Sequence, residues 1–198
     1  SSTTDNINAG AGDDLITYAD ANLTSGDTIV GGDGADTIAV SGAGAIDLST
    51  VSGVETLSLV TSTGNQTITL ASPSQVAVTG DSSAQVVVMA SNSSTTFNLG
   101  AGNDSLTLGG AGGSTVTLTG VETVTGSAGN DAITLVAGSV TVVTDTGGTD
   151  TVTLAGSAKV TIGSNFEFVV GSSSADTIVG GSSTTDNINA GAGDDLIT

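Results

Sequence analysis

Hydrophobic residues recur in short clusters along the whole chain, and most steps between cluster centres, such as Ile29 to Ile38, are about 8–11 residues. Within a cluster they alternate with polar residues, as in residues 67–70, which read TITL, and residues 115–118, which read TVTL. A period of two gives one apolar face and one threonine-bearing face, which is typical of a half-buried strand and not of a helix. The pattern predicts an all-β chain of many short strands.

A much longer repeat is also present. Residues 1–17 are identical to residues 182–198, at an offset of 181 residues. We interpret the chain as one 181-residue period plus an overlap, so that residues 182–198 are the start of the next tandem repeat of a longer protein. A cloning artefact is the alternative explanation.

Composition restricts the chemistry. The 198 residues include 20 Asp and Glu but one Lys and no Arg, which gives a formal charge of −19, and His, Cys and Trp are absent. The chain therefore has no Ser-His or Cys-His nucleophile, no zinc site of sulfur or imidazole ligands, and no disulfides. Nucleic-acid binding requires cations, and Lys159 is the only one. No apolar run reaches the ~18–20 residues of a membrane span.

The turns between the clusters share a motif. Residues 31–39 read GGDGADTIA and fit the pattern G-G-x-G-x-D-x-U-x, where U is a large aliphatic residue; residues 9–17 fit it with Ala9 in place of one Gly. Residues 99–107 and 126–134 are close relatives, and weaker versions occupy residues 22–30, 145–153, 171–179 and 181–189. In these turns the chain resembles the RTX (repeats-in-toxin) nonapeptide family, whose repeats bind calcium.

The chemistry of the turns agrees with this resemblance. Glycine permits the positive φ of tight turns, and carbonyl and carboxylate oxygens without nitrogen or sulfur donors suit Ca²⁺ better than Mg²⁺. The candidate calcium ligands are Asp5, Asp14, Asp27, Asp36, Asp104, Asp131, Asp150, Asp176, Asp186 and Asp195, with Gly10, Gly12, Gly32, Gly34, Gly100 and Gly102 shaping the turns. The alternative is that Asp and Gly are ordinary turn formers whose charges are solvated.

The resemblance also implies a β-roll, in which two nonapeptides form one coil and an ion lies between turns that stack about 18 residues apart. The matching pairs are Asp131 with Asp150, Asp176 with Asp195, Asp5 with Asp27, and Asp14 with Asp36. The last two pairs are 22 residues apart because they span an expected insertion around residues 18–21. In a tandem array, Asp195 would lie next to Asp36 of the following unit, and Asp186 next to its Asp27.

The middle of the chain departs from the family pattern. A frame that ends in Glu recurs at Glu55, Glu122 and Glu167, but after the first of them Gln66 replaces the expected Asp. We therefore divide the chain into RTX-like calcium-binding coils (1–39), ion-poor solenoid coils (40–98), a mixed solenoid with RTX-like turns (99–181) and the start of the next repeat (182–198).

The expected fold is a parallel two-sheet β-solenoid of the β-roll kind, and a β-sandwich is the runner-up. About nineteen strands per period, two per coil, give ~9–10 coils and a rise of ~45 Å per period.

For function, we expect a calcium-stabilised structural protein of the bacterial cell exterior: a filament, an adhesin stalk or a surface-layer element. The resemblance implies extracellular placement by type I secretion. Its partners would be neighbouring copies of itself, end to end, with a cell-surface polysaccharide as a further candidate. The alternatives are an ice- or glycan-binding module, and an enzyme that uses carboxylates alone; we expect no enzyme, because no carboxylate pair stands out from the turns.

Overall fold

The structure is a computed structural model that describes residues 4–19, 23–60, 64–70, 76–136, 140–181 and 186–198. The described residues form twenty-two strands and no helix, and the strands make three sheets. Residues 20 and 21 of the expected insertion, and residues 182–185 of the repeated segment, lie outside the described residues.

The ten-stranded sheet contains every second strand of the chain. Its strands are β2 (Leu15–Tyr18), β4 (Thr37–Val40), β7 (Thr56–Leu59), β9 (Ala77–Thr79), β11 (Ser94–Asn98), β13 (Thr115–Thr119), β15 (Ala132–Leu135), β17 (Thr151–Leu154), β19 (Phe168–Val170) and β21 (Asn187–Asn189).

The other side of the molecule holds the remaining strands. A nine-stranded sheet contains β5 (Gly44–Asp47), β8 (Gln66–Leu70), β10 (Gln85–Met89), β12 (Ser105–Thr107), β14 (Thr123–Thr125), β16 (Val140–Thr144), β18 (Lys159–Ile162), β20 (Thr177–Val179) and β22 (Leu196–Ile197). A three-stranded sheet contains β1 (Asn6–Ala11), β3 (Thr28–Asp33) and β6 (Val51–Ser52).

Every strand pair is parallel, and each strand pairs with the strand one coil away. The chain therefore winds as a β-solenoid of about nine turns. This confirms the predicted fold class, and it excludes the β-sandwich because sandwiches are built from antiparallel sheets.

The core is a thin double column of aliphatic side chains between the sheets. On the ten-stranded sheet, Ile38, Leu57, Val78 and Phe97 occupy successive rungs of one column. The facing column on the nine-stranded sheet runs through Ile46, Ile68, Val87 and Leu106. These side chains are at most 1% exposed. Complete burial of such a side chain stabilises the fold by about 1.5–3 kcal/mol, so the columns supply the main cohesion between coils.

The third coil is wider than those that follow. Between β4 and β7 the chain forms two strands, β5 and β6, on the side opposite the ten-stranded sheet. Strand β6 pairs with β3 in the three-stranded sheet, whereas β5 starts the nine-stranded sheet. The three- and nine-stranded sheets therefore share one side of the solenoid, and the extra strand β6 lies within the 11-residue step from Ile46 to Leu57.

Two edges connect the two sides, and they carry the acidic turns. We call the turns that lead into the ten-stranded sheet the first edge, and the turns that lead out of it the second edge. Asp14, Asp36, Asp131, Asp150 and Asp186 lie on the first edge, and Asp5, Asp27, Asp104, Asp176 and Asp195 lie on the second.

Since the described residues contain no helix, none of them forms a helix long and apolar enough to cross a membrane.

Candidate metal centre

A hydrogen-bonded ladder joins the acidic turns along each edge. In each rung, the main-chain N–H at the end of one turn donates to the carboxylate at the same position one coil later, as from Asp14 to Asp36 Oδ1 at 2.8 Å. The other rungs are Asp5 to Asp27, Asp36 to Glu55, Gln85 to Asp104, Asp104 to Glu122, Ser114 to Asp131, Asp131 to Asp150, Asp150 to Glu167, Ala158 to Asp176, and Asp176 to Asp195, at 2.6–3.0 Å. Each carboxylate thus meets one N–H donor from the preceding coil.

The ladder brings together the four pairs that the sequence predicts. Asp5 with Asp27, Asp14 with Asp36, Asp131 with Asp150, and Asp176 with Asp195 each occupy adjacent rungs of one edge. Asp186 was predicted next to Asp27 of the following unit, and Asp104 was predicted without a partner; Asp104 lies between Gln85 and Glu122 on the second edge. Metal binding by these individual residues stays a prediction.

One group of carboxylates keeps an oxygen free for a ligand. In Asp36, Asp104 and Asp150, Oδ1 accepts the N–H of the rung, whereas Oδ2 is buried without a hydrogen-bond partner among the described residues. Asp14 Oδ2 and Asp186 Oδ1 are likewise buried without a hydrogen-bond partner among the described residues. Buried carboxylate oxygens without donors are costly, and a cation relieves that cost. These residues therefore fit a hard, oxygen-binding ion such as Ca²⁺.

A second group of carboxylates is satisfied by the protein itself. Asp176 Oδ1 accepts the N–H of Ala158 at 3.0 Å, while its Oδ2 accepts the N–H and the hydroxyl of Ser172 at 2.8 and 3.0 Å. Thr24 does the same for Asp27, and Ser127 for Asp131. These hydrogen bonds hold the pKa of Asp27 below its usual value, most strongly the N–H groups of Asp5 and Thr24.

The first residues of the turn account for most of the difference between the two groups. In the turns of Asp27, Asp131 and Asp176, a Ser or Thr three or four residues before the Asp supplies both a main-chain N–H and a hydroxyl. Gly32 and Gly100, four residues before Asp36 and Asp104, supply no hydroxyl. The turn of Asp150 is different, because Thr146 stands four residues before it and Asp150 Oδ2 still has no hydrogen-bond partner in the described structure.

Glycines hold the main chain against the free oxygens. An ideal Cβ on Gly31 would lie 2.6 Å from Asp36 Oδ2 and 1.7 Å from the carbonyl oxygen of Gly53. A Cβ on Gly126 would lie 2.0 Å from Asp145 Oδ1. Any side chain at these positions would fill the space beside the carboxylate, so glycine keeps the cradle open.

The six predicted turn glycines all adopt positive φ, as the sequence predicts. The values are +110° for Gly10, +117° for Gly12, +124° for Gly32, +145° for Gly34, +89° for Gly100 and +159° for Gly102. They also stack: a Cβ on Gly32 would lie 1.7 Å from the carbonyl oxygen of Gly10. Larger residues are excluded there both by the main-chain conformation and by the next coil.

The densest cluster of carboxylates on the described residues joins two coils of the first edge. One carboxylate oxygen from each of Asp131, Asp145 and Asp150 lies within 4.8 Å of the others, and all three residues are buried. Asp145 Oδ2 accepts the N–H of Gly147, whereas Asp145 Oδ1 and Asp150 Oδ2 have no hydrogen-bond partner in the described part of the chain. The cluster offers three anionic oxygens at one point, a donor set that suits Ca²⁺.

The electrostatics of these carboxylates show the cost of leaving the site without a cation. Burial, and then the neighbouring Asp145 carboxylate, raise the pKa of Asp150 to about 7, against the opposing hydrogen bond from Asp131. Burial raises the pKa of Asp145 as well. On the second edge, burial followed by the charges of Glu122 and Asp81 raises the pKa of Asp104 to about 6. Protons and cations therefore compete for the same oxygens.

Two kinds of functional residue were missed at the sequence level. Asp145 stands at the first position of the weak motif at residues 145–153, where the pattern has Gly, so it was passed over as a degenerate position. The three Glu residues were recognised only as a recurring frame. In the structure each of them accepts the N–H of an Asp one coil earlier, at 2.7–2.8 Å.

Amide side chains continue the second edge through the predicted ion-poor region. Gln85 Nε2 donates to Gln66 Oε1 at 3.2 Å and to Asp81 Oδ1 at 2.9 Å, and Gln66 Nε2 donates to the carbonyl oxygen of Gly42 at 3.0 Å. Both glutamines are fully buried. A neutral hydrogen-bonded column thus occupies the position that Asp holds elsewhere.

Comparison with known proteins agrees with this geometry. The RTX calcium-binding nonapeptide repeat matches the chain in four stretches, residues 1–19, 24–42, 117–138 and 162–197, which together cover just under half of it. No curated protein and no solved structure matches the chain. Over those four stretches the chain belongs to the RTX family of calcium-binding nonapeptide repeats, and its cofactor is Ca²⁺.

Proposed function

We propose that this RTX solenoid is one unit of a secreted, calcium-stabilised rod that serves as a structural element outside a bacterial cell. The observation that carries the proposal is the repeated segment. Asp176 N–H donates to Asp195 Oδ1 at 2.9 Å, as Asp14 N–H donates to Asp36 Oδ1 at 2.8 Å, so the second copy continues the ladder of the unit before it.

The two copies of the segment pair in register in the same way. Ile16 of β2 pairs with Ile38 of β4, and the equivalent Ile197 of β22 pairs with Ile178 of β20. In the proposed rod, a further coil with the sequence of residues 18–40 would pair with β22 on its other side, and it would place an aspartate next to Asp195.

The charge argues for a calcium-dependent rod that folds outside the cell. At −19 the chain repels itself, and the free oxygens of Asp36, Asp104 and Asp150 are held in pairs of turns that only the folded coil brings together. Ion binding restricted to the folded state stabilises that state by mass action. Extracellular calcium at about 1 mM suits such sites, and type I secretion is the export route that fits the family.

Proteins of one, two and four consecutive units, joined through the shared segment, test the rod directly. In millimolar calcium, small-angle scattering and electron microscopy should give rods that lengthen by about 45 Å per unit, at ~4.8 Å per coil. The same proteins in EGTA should be expanded chains. Separate beads joined by linkers, or a length that does not grow in this step, would overturn the rod.

Antibody labelling of cells tests the extracellular location. An antibody against the unit should label intact cells of the source organism as strongly as permeabilised cells, and labelling confined to permeabilised cells would contradict secretion.

A binding function is the second candidate, because one outward column of the ten-stranded sheet is a threonine ladder. Thr96, Thr117, Thr134 and Thr153 occupy successive rungs. The ladder ends at Val170. Thermal hysteresis measured with the calcium-bound unit tests ice binding, with a Thr117→Lys variant as control; no hysteresis would leave the structural function alone.

A further inference from the structure

Equivalent strands of the two identical segments lie on opposite sides of the solenoid. In the first copy, β1 belongs to the three-stranded sheet and β2 to the ten-stranded sheet. In the second copy, the strand equivalent to β1 is β21, which belongs to the ten-stranded sheet, and the strand equivalent to β2 is β22, which belongs to the nine-stranded sheet. Residues 5–17 and the identical residues 186–198 therefore enter the solenoid half a turn out of phase.

The number of coils explains the change of side. Strand β2 is at one end of the ten-stranded sheet and β21 is at the other, which makes nine steps of one full turn. The equivalent of β2 is the next strand, β22, on the opposite side. The 181-residue period thus spans nine and a half turns of the solenoid, because an odd number of half-coils fits into it.

The segment adopts the same local structure on either side. The φ of Gly12 is +117° and that of its equivalent Gly193 is +130°. Leu15 and its equivalent Leu196 both point outward, at 69% and 55% exposed. Leu15 pairs in register with Thr37 of β4, and Leu196 pairs with Thr177 of β20. The segment is compatible with both sheets, so the sequence identity imposes no conflict.

We infer that successive units of the rod are related by a half-turn about the solenoid axis. At the second copy of the segment, the ten-stranded sheet of the next unit would begin on the side that holds the nine-stranded sheet of the unit before it. This rests on the proposed tandem rod. The following unit would place its Thr37 against Leu196, in one column with Thr177 of the preceding unit. Its ten-stranded sheet would therefore extend the nine-stranded sheet of the unit before it.

This arrangement fixes how the rod presents its surfaces to a partner. The threonine ladder, and the cluster of Asp131, Asp145 and Asp150, would face opposite directions in adjacent units. Along one side of the rod an identical surface would recur every two units, at about 90 Å, whereas the units themselves recur at about 45 Å. A partner that recognises one sheet would decorate both sides of the rod alternately.

The chain has no cysteine, so pairs of introduced cysteines labelled with pyrene can test the exchange in a two-unit protein at millimolar calcium. The first pair is Thr177→Cys in the first unit with Thr37→Cys in the second. The control pair is Phe168→Cys in the first unit with the same Thr37→Cys. All three side chains lie at outward positions of their strands.

The half-turn predicts excimer emission from the first pair, whose labels would be two strand spacings, or about 10 Å, apart. It predicts monomer emission from the control pair, whose labels would lie on opposite outer surfaces. The reverse result would overturn the half-turn and leave the rod intact. Monomer emission from both pairs, with each unit folded by circular dichroism, would mean that the units do not stack, which would overturn the rod as well.

Discussion

The carboxylate of Asp150 accepts a hydrogen bond from the main-chain N–H of Asp131 at 2.6 Å, across nineteen residues of sequence and one coil of the solenoid. The same relationship recurs along both edges, and it fixes one oxygen of Asp27, Asp36, Asp176 and Asp195 in the same way. Whether the other oxygen is satisfied by a hydroxyl or left free decides how the turn responds to calcium, and the following predictions depend on this distinction.

Folding should be coupled to calcium. With EGTA at neutral pH, the circular dichroism spectrum of the chain should be largely that of a disordered polypeptide, because free buried oxygens such as Asp36 Oδ2 repel one another without a cation. A β spectrum should develop at about 0.1–1 mM Ca²⁺, the range of extracellular calcium modules. An equally folded chain in EGTA would contradict this prediction, and Mg²⁺ at the same concentration is the control.

Two isosteric substitutions should separate the two kinds of turn. Asp36→Asn should reduce the number of calcium ions bound at saturation, measured by equilibrium dialysis, because Asp36 Oδ2 has no donor in the described structure. Asp176→Asn should leave that number unchanged, because Ser172 already occupies Asp176 Oδ2. It should instead lower the free energy of unfolding by about 1–3 kcal/mol, which is the cost of a disturbed buried hydrogen bond. Equal losses of bound ions would contradict the distinction.

Acid should substitute in part for calcium. The pKa of Asp150 is raised to about 7 and that of Asp104 to about 6, both from an ordinary value of 3.8. A raised carboxyl pKa means that the metal-free fold binds more protons than the unfolded chain, so its stability is fully present below pH 4 and is lost as the pH rises from about 4 to 7.

The measurement is the β signal in EGTA as a function of pH. It should be larger at pH 5 than at pH 7.5, and in Asp150→Asn, which mimics the protonated group, this difference should shrink. In saturating calcium the pH dependence over the same range should be weak. A metal-free chain that loses β structure as the pH falls from 7.5 to 5 would contradict the assigned direction.

The glutamate rungs should be structural. Glu122→Ala would leave the buried N–H of Asp104 without its acceptor at 2.7 Å, and it should lower the free energy of unfolding in calcium by about 1–3 kcal/mol. Glu122→Gln keeps an acceptor oxygen and removes the charge that raises the pKa of Asp104, so it should restore most of the loss. Urea titrations of the unmodified protein and the two variants measure the free energy of unfolding. Equal stability of the alanine and glutamine variants would contradict a structural role for the Glu122 acceptor.

Much of this architecture could be predicted from the sequence, because the solenoid repeats a local rule. The period-two clusters indicated short half-buried strands, the resemblance to RTX repeats implied that they stack in parallel, and the motif at residues 31–39 located Asp36 and its glycines. Asp145 was missed because it occupies a glycine position, and only the fold brings it beside Asp131 and Asp150. The role of Ser127 and Ser172 depends on which oxygen of an Asp faces the start of its turn, which spacing does not reveal.

The structure also gives Gln66 a role in the ion-poor region. From the sequence, Gln66 was identified only as the residue that replaces the expected Asp. In the structure Gln66 is fully buried and hydrogen-bonded to Gln85 and to the carbonyl oxygen of Gly42. Replacing Gln66 by Ala should therefore destabilise the fold without changing the number of bound calcium ions, because its amide group belongs to a column of hydrogen bonds and not to a calcium site.

The ladder of the acidic turns has a direction, since the donor always belongs to the earlier coil and the acceptor to the later one. If the proposed rod broke between Asp131 and Asp150, one fracture surface would carry the amide hydrogen of Asp131 and the other the carboxylate oxygens of Asp150. The two surfaces would be chemically unequal, like the plus and minus ends of a cytoskeletal polymer. Two surfaces of the same kind could not rejoin through this ladder, so the broken pieces could pair only head to tail.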